Sequence, residues 1–91
     1  MNNQQRKLEE EVFELQEAIR SYEYNSILKA VTDKDIRMDR VKEHLEEETG
    51  DVLNVIYEFI EYYELDLDKI TDSRIYKIDR ENKRIENARN N

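Results

Sequence analysis

Glu48 stands where a helix would turn its apolar side inward, three residues after Leu45 and four before Val52. The surrounding stripe is Val41, Leu45, Glu48, Val52, Val55 and Phe59, with Ile56 and Ile60 widening it. A carboxylate facing a helical core is costly unless it is paired or bound to a metal. Asp51 follows three residues later, on the flank of the same face. An earlier stretch offers a matching pair. Glu11 and Glu14 are also three apart, beside the stripe Leu8–Val12–Leu15, and Ala18 continues their row with a side chain small enough to leave space. Glu10 and Glu17 lie further round, toward solvent. Two such helices packed antiparallel would gather Glu11, Glu14, Glu48 and Asp51. Four carboxylates in one place repel and hold their protons more tightly. A hard divalent cation such as Mg²⁺ removes that penalty, since it takes oxygen ligands and accepts carboxylates together with substrate phosphates. The competing reading is an ordinary charged face, with Glu48 at a helix-packing margin.

Other chemistry is narrowed by what accompanies these residues. A di-iron bundle wants Glu-x-x-His on each of two helices; the single His is His44, and Val41 stands three residues before it. His44 reads as an exposed helix residue rather than a ligand. With no Cys there is no disulfide framework, thiolate metal site or Cys nucleophile. Lys77, Arg80 and Arg84 form a basic row at spacings of three and four, with Lys83 beside it. That row suits phosphates or salt bridges to acidic helices. Six tyrosines offer either base stacking or packing surface.

The elements that must position these groups are helical. Zero Pro and one Gly among 91 residues leave few breakers. The spacing predicts four helices: about Gln4–Tyr22, with stripe Leu8, Val12, Leu15, Ile19 and Tyr22; a short one, about Tyr24–Val31; a third from Asp35 or Asp39 to Tyr63; and a fourth, about Lys69–Glu86, with Ile75, Ile78, Asn82 and Ile85 aligned. Thr32-Asp33-Lys34-Asp35 and Leu65-Asp66-Leu67-Asp68 supply capping chemistry at the boundaries. Gly50, inside the third helix, costs about 1 kcal/mol relative to Ala and either admits a close neighbour or is simply tolerated. The expectation is an all-α, four-helix bundle-type protomer, three helices long and one short, forming a single domain over residues 1–91 with a frayed tail at 87–91. A chain this short buries about 60–65% of its unfolded surface, so oligomerisation is expected to complete the core.

Charge is unevenly placed. Residues 1–73 carry 9 basic and 20 acidic side chains, a net of −11, whereas residues 74–91 carry 6 and 3, a net of +3. The overall charge of −8 argues against nucleic acid as a partner. No run is long and apolar enough for a membrane span, and no charged-then-apolar leader opens the chain, so a cytoplasmic location is expected.

Glu10-Glu11-Val12-Phe13-Glu14 resembles the EExxE motif of MazG-like nucleotide pyrophosphohydrolases, and Glu48-Thr49-Gly50-Asp51-Val52 resembles their ExxD motif. Leu65–Ile70 and Tyr76–Arg80 resemble the family's closing helix, so the likeness covers about residues 7–86. One departure is the 33 residues between Glu14 and Glu48, longer than is usual in the family. The resemblance implies an Mg²⁺-dependent hydrolysis (Mn²⁺ also serving) of a nucleoside triphosphate to its monophosphate and pyrophosphate, in a homodimer or homotetramer. By position it implies Glu11, Glu14, Glu48 and Asp51 as metal ligands, and Glu10 as an auxiliary ligand or a base orienting water. Lys77 and Arg80 would contact the phosphates. Two other functions share these features. One is a non-enzymatic acidic helical oligomer acting as an interaction or regulatory module. The other is a nucleotide sensor that binds without turnover.

Overall fold

The computed structural model describes residues 2–32 and 34–90. Among them the regular structure is all-helical: α1 (Asn3–Val31), α2 (Met38–Tyr62) and α3 (Leu67–Asn90). The chain forms two compact units, Met1–Phe59 and Ile60–Asn91.

α1 opens on a capping box. The Asn2 side chain accepts the Gln5 backbone N–H at 2.9 Å, and the Gln5 side chain accepts the Asn2 backbone N–H at 3.2 Å. The expected break near Glu23 does not occur, so the first and short second helices are one helix of 29 residues. The physical reason is the absence of any breaker there: Glu23 is a good helix former. Asn25, a residue type that competes with helical backbone bonding, turns its amide back onto the Ser21 carbonyl within the helix, at 2.8 Å. α1 ends at Thr32, whose N–H and hydroxyl both donate to the Leu28 carbonyl, at 3.0 and 2.6 Å. Of the capping stretch expected here, Asp33 lies outside the described residues. At the start of α2 the Arg37 guanidinium donates two bonds to Asp39, at 3.2 and 2.9 Å, and holds that carboxyl below its ordinary range.

In the first unit α1 and α2 run antiparallel: Lys7 meets Glu58 near one end, while Glu14 meets Glu48 further along. The covered face of α2 comprises Met38, Val41, Leu45, Glu48, Val52, Val55 and Phe59, at alternating steps of three and four. This is a helical stripe, and Glu48 sits within it. On α1 the covered row passes through Leu8, Val12 and Leu15 to Ala18 and Tyr22. Ala18 is 2% exposed and Val55 7%, whereas Ile19 is 40% exposed. The small side chain of Ala18 is thus covered. Gly50 has open space where a Cβ would stand, so close approach of a neighbour within this chain does not account for it.

The second unit begins with a Schellman turn that ends α2. The Leu65 N–H donates to the Ile60 carbonyl at 2.9 Å and the Glu64 N–H to the Glu61 carbonyl at 3.1 Å. Glu64 takes the left-handed conformation this turn requires, with φ 52°. Asp66 then caps α3, accepting the backbone N–H groups of Asp68 at 2.9 Å and Lys69 at 3.2 Å. α3 continues to Asn90, beyond its expected end at Glu86. Nothing in Asn87-Ala88-Arg89-Asn90 breaks a helix, and Arg89 suits a C-terminal turn. Asn91, the last residue of the expected frayed tail, lies outside the described residues.

A left-handed glutamate is strained where glycine would not be. Glu64→Gly is expected to stabilise the protein by about 0.5–1 kcal/mol, read as a higher melting temperature. Glu64→Ala, which keeps the Cβ, should give no comparable gain. An equal effect from both substitutions would contradict a backbone origin.

Candidate metal centre

α1 presents Glu11 and Glu14 one turn apart, and α2 presents Glu48 from the opposite side. One carboxylate oxygen from each of the three lies within 4.8 Å of the others. Glu11 and Glu48 are half-buried and Glu14 is exposed, so the cluster lies at the rim of the groove between the helices. Glu11 Oε2 and Glu48 Oε2 are buried atoms that no protein donor reaches.

The electrostatics match this geometry. Loss of solvent pushes the Glu11 carboxyl above its ordinary value, and the charges of Glu14, Asp51 and Glu48 push the same way. Glu48 is raised for the same leading reason, then by Glu14 and Asp51, with His44 opposing. His44 is exposed and lies one turn before Glu48.

Asp51 is not part of the mutually close triplet, although its charge acts on two of its members. It lines an adjoining cavity of about 450 Å³ together with Glu10 and Glu11. The other polar lining groups are Lys7, Asn54 and Glu58, with Val55 between them. Sequence reasoning did not single out these three polar residues. The available signal was positional: Lys7 is one turn before Glu11, and Asn54 and Glu58 are one and two turns after Asp51.

Lys77 and Arg80 lie on α3, in the second unit, and both are exposed. The Arg80 guanidinium stands 5.9 Å from the centre of the Tyr76 ring. Arg84 pairs with Glu81 on the same helix at 3.5 Å, both side chains well exposed. Among the tyrosines, Tyr62 and Tyr63 meet edge to face at 4.9 Å.

A divalent cation fits the donors present. Three carboxylate oxygens converge, two of the carboxylates have an oxygen without a donor, and both of those groups carry the repulsion that a cation would relieve. Such all-oxygen surroundings suit a hard ion rather than a soft one.

Among curated proteins and among solved structures, nothing matches the chain. A family comparison does. The MazG nucleotide pyrophosphohydrolase domain matches residues 2–85, a span that contains both carboxylate pairs and runs through both compact units. With Glu11 and Glu14 on one helix facing Glu48 on its antiparallel neighbour, and a match of that length, the chain belongs to the MazG nucleotide pyrophosphohydrolase domain family.

Proposed function

We propose that the protein hydrolyses a ribo- or deoxyribonucleoside triphosphate to the monophosphate and pyrophosphate. The observation that carries this reading is the convergence of Glu11, Glu14 and Glu48 in a MazG domain. These three and Asp51 are the proposed ligands of Mg²⁺, with Mn²⁺ able to replace it. When bound, the cation supplies neutralising charge for the polyphosphate and activation of water.

The remaining work falls to the chain's own groups. Glu10 lines the cavity beside the cluster, where it is suited to orient a water and accept its proton. Glu11 and Glu14 hold the acidic edge of the site in one geometry because they share a helix face. Lys77 and Arg80 are the proposed contacts to the phosphates from the basic last helix. One molecule of water is consumed, and one phosphoanhydride bond breaks for each triphosphate.

The functional form proposed is a single domain assembled as a homodimer or homotetramer. Large apolar side chains remain open along both units. Tyr24, Ile27 and Val31 on α1 are 64–72% exposed, and Ile75, Tyr76 and Ile78 on α3 are 52–66% exposed. That exposure supports a reading in which another copy of the chain covers these side chains. No described helix is long and apolar enough to cross a membrane.

The test is incubation of the pure protein with a panel of ribo- and deoxyribonucleoside triphosphates and Mg²⁺, with pyrophosphate as the readout. Release from at least one member is expected. No release from any member by well-folded protein would reject the activity.

A further inference from the structure

The cavity beside the carboxylate cluster holds a charge arrangement that the proposed metal ligands do not explain. Four acidic side chains line it: Glu10, Glu11, Asp51 and Glu58. Among the described lining residues Lys7 is the one cation, and its Nζ stands 3.5 Å from Glu58 Oε2. Both side chains are about half exposed, 53% and 52%. An ion pair that long and that wet is weak and easily exchanged. Lys7 also lies one turn before Glu11, so it shares the row of the cluster. Its flexible stem and compact ammonium allow it to swing within the cavity.

A polyphosphate brought to the cluster enters this acidic cavity. A phosphate group carries more charge than a carboxylate and offers more acceptor oxygens, so it competes well for one ammonium. Glu58, left behind, then faces the polyphosphate as a like charge. We propose that Lys7 is a phosphate-binding residue of this site and that Glu58 restrains it in the substrate-free protein. Substrate binding exchanges the Lys7–Glu58 pair for a Lys7–phosphate contact. The inference rests on the nucleotide-hydrolase reading of the cluster, but it can be tested apart from turnover.

The two residues should act in opposite directions. Lys7→Met is expected to raise KM for the preferred triphosphate about tenfold, with a smaller change in kcat. Lys7→Arg should retain most of the affinity. Glu58→Gln should lower KM, because it frees Lys7 and removes a repelling charge. A pair that is merely structural would respond alike from either side, with both variants melting lower and KM unmoved or shifted the same way. Calorimetry with inorganic pyrophosphate and Mg²⁺ provides the readout without activity: weaker binding for Lys7→Met and tighter for Glu58→Gln. If no triphosphate is turned over yet these affinities still move oppositely, the hydrolase reading fails and the Lys7 assignment stands. Shifts of the same sign, or none, overturn the assignment whether or not the protein is an enzyme.

Discussion

Glu48→Gln is expected to reduce triphosphate turnover about a hundredfold or more, while the metal-free variant melts above the wild type. The two effects share one cause. Glu48 lies on the covered stripe of α2, with Oε2 buried and without a donor. Its carboxyl is pushed up by loss of solvent and then by Glu14 and Asp51. An amide of the same shape removes the charge, and its NH₂ can donate to Glu14. The helix keeps its side-chain volume and loses a repulsion, but the site loses an anionic ligand. Loss of activity with gain of stability is the signature of a group retained for function. Activity assays and circular-dichroism melts on the same preparations check both halves. Retained activity, or a variant that melts well below the wild type, would contradict the role assigned to Glu48.

The second large effect concerns the ion itself. Mg²⁺ or Mn²⁺ should raise the melting temperature of the wild type, by an amount equivalent to about 2.7 kcal/mol at one hundred times the dissociation constant. The pH dependence should change sign with the metal. Glu11 and Glu48 bind protons more tightly in the folded chain than their ordinary value of 4.5. Above that value the metal-free folded state therefore holds more protons than the unfolded one, and stability falls as pH rises through the raised values. Lowering the pH from neutrality toward 4.5 should stabilise the metal-free protein. Asp39 runs the other way, but its carboxyl is lowered from 3.8, so its stabilisation is lost only below that value. With the cation present, protonation competes with ligation, and the metal-induced shift should shrink over the same range. Glu48→Gln should blunt both trends. A metal shift of equal size in wild type and variant would place the ion elsewhere.

Much of the first unit was legible in the sequence because helical periodicity leaves little choice. The covered positions of α2 from Val41 to Phe59 are those the spacing selects, and Glu48 stands among them for the same reason. The cap at Asp66 follows from residue type. The break expected after Tyr22 is absent because no residue there stops α1. Glu64 gave no signal, since its left-handed backbone is imposed by the turn rather than chosen by a glutamate. Ala18 and Ile19 are consecutive and so point about 100° apart around the helix; the covered row runs through Ala18 and leaves Ile19 40% exposed.

The candidate site divides along similar lines. Spacings of three on each helix select Glu11, Glu14, Glu48 and Asp51 as neighbours once the helices are antiparallel; the first three converge, and Asp51 stands beside them on the wall of the cavity. Lys7 and Glu58 are 51 residues apart and look like ordinary charged surface. Only the antiparallel register brings them together on the wall of the cavity. The low burial of both units has the same lesson: an apolar stripe shows that a face needs cover, while its partner is not written in the stripe.

In the proposed function this acidic chain handles polyphosphate through a cation and cleaves it to monophosphate and pyrophosphate. The most direct measurement is the product ratio from the best triphosphate of the panel, with Mg²⁺ and again with the ion chelated. Equimolar monophosphate and pyrophosphate with Mg²⁺, and none after chelation, is the expected result. Diphosphate with inorganic phosphate, or undiminished cleavage without the ion, would contradict it.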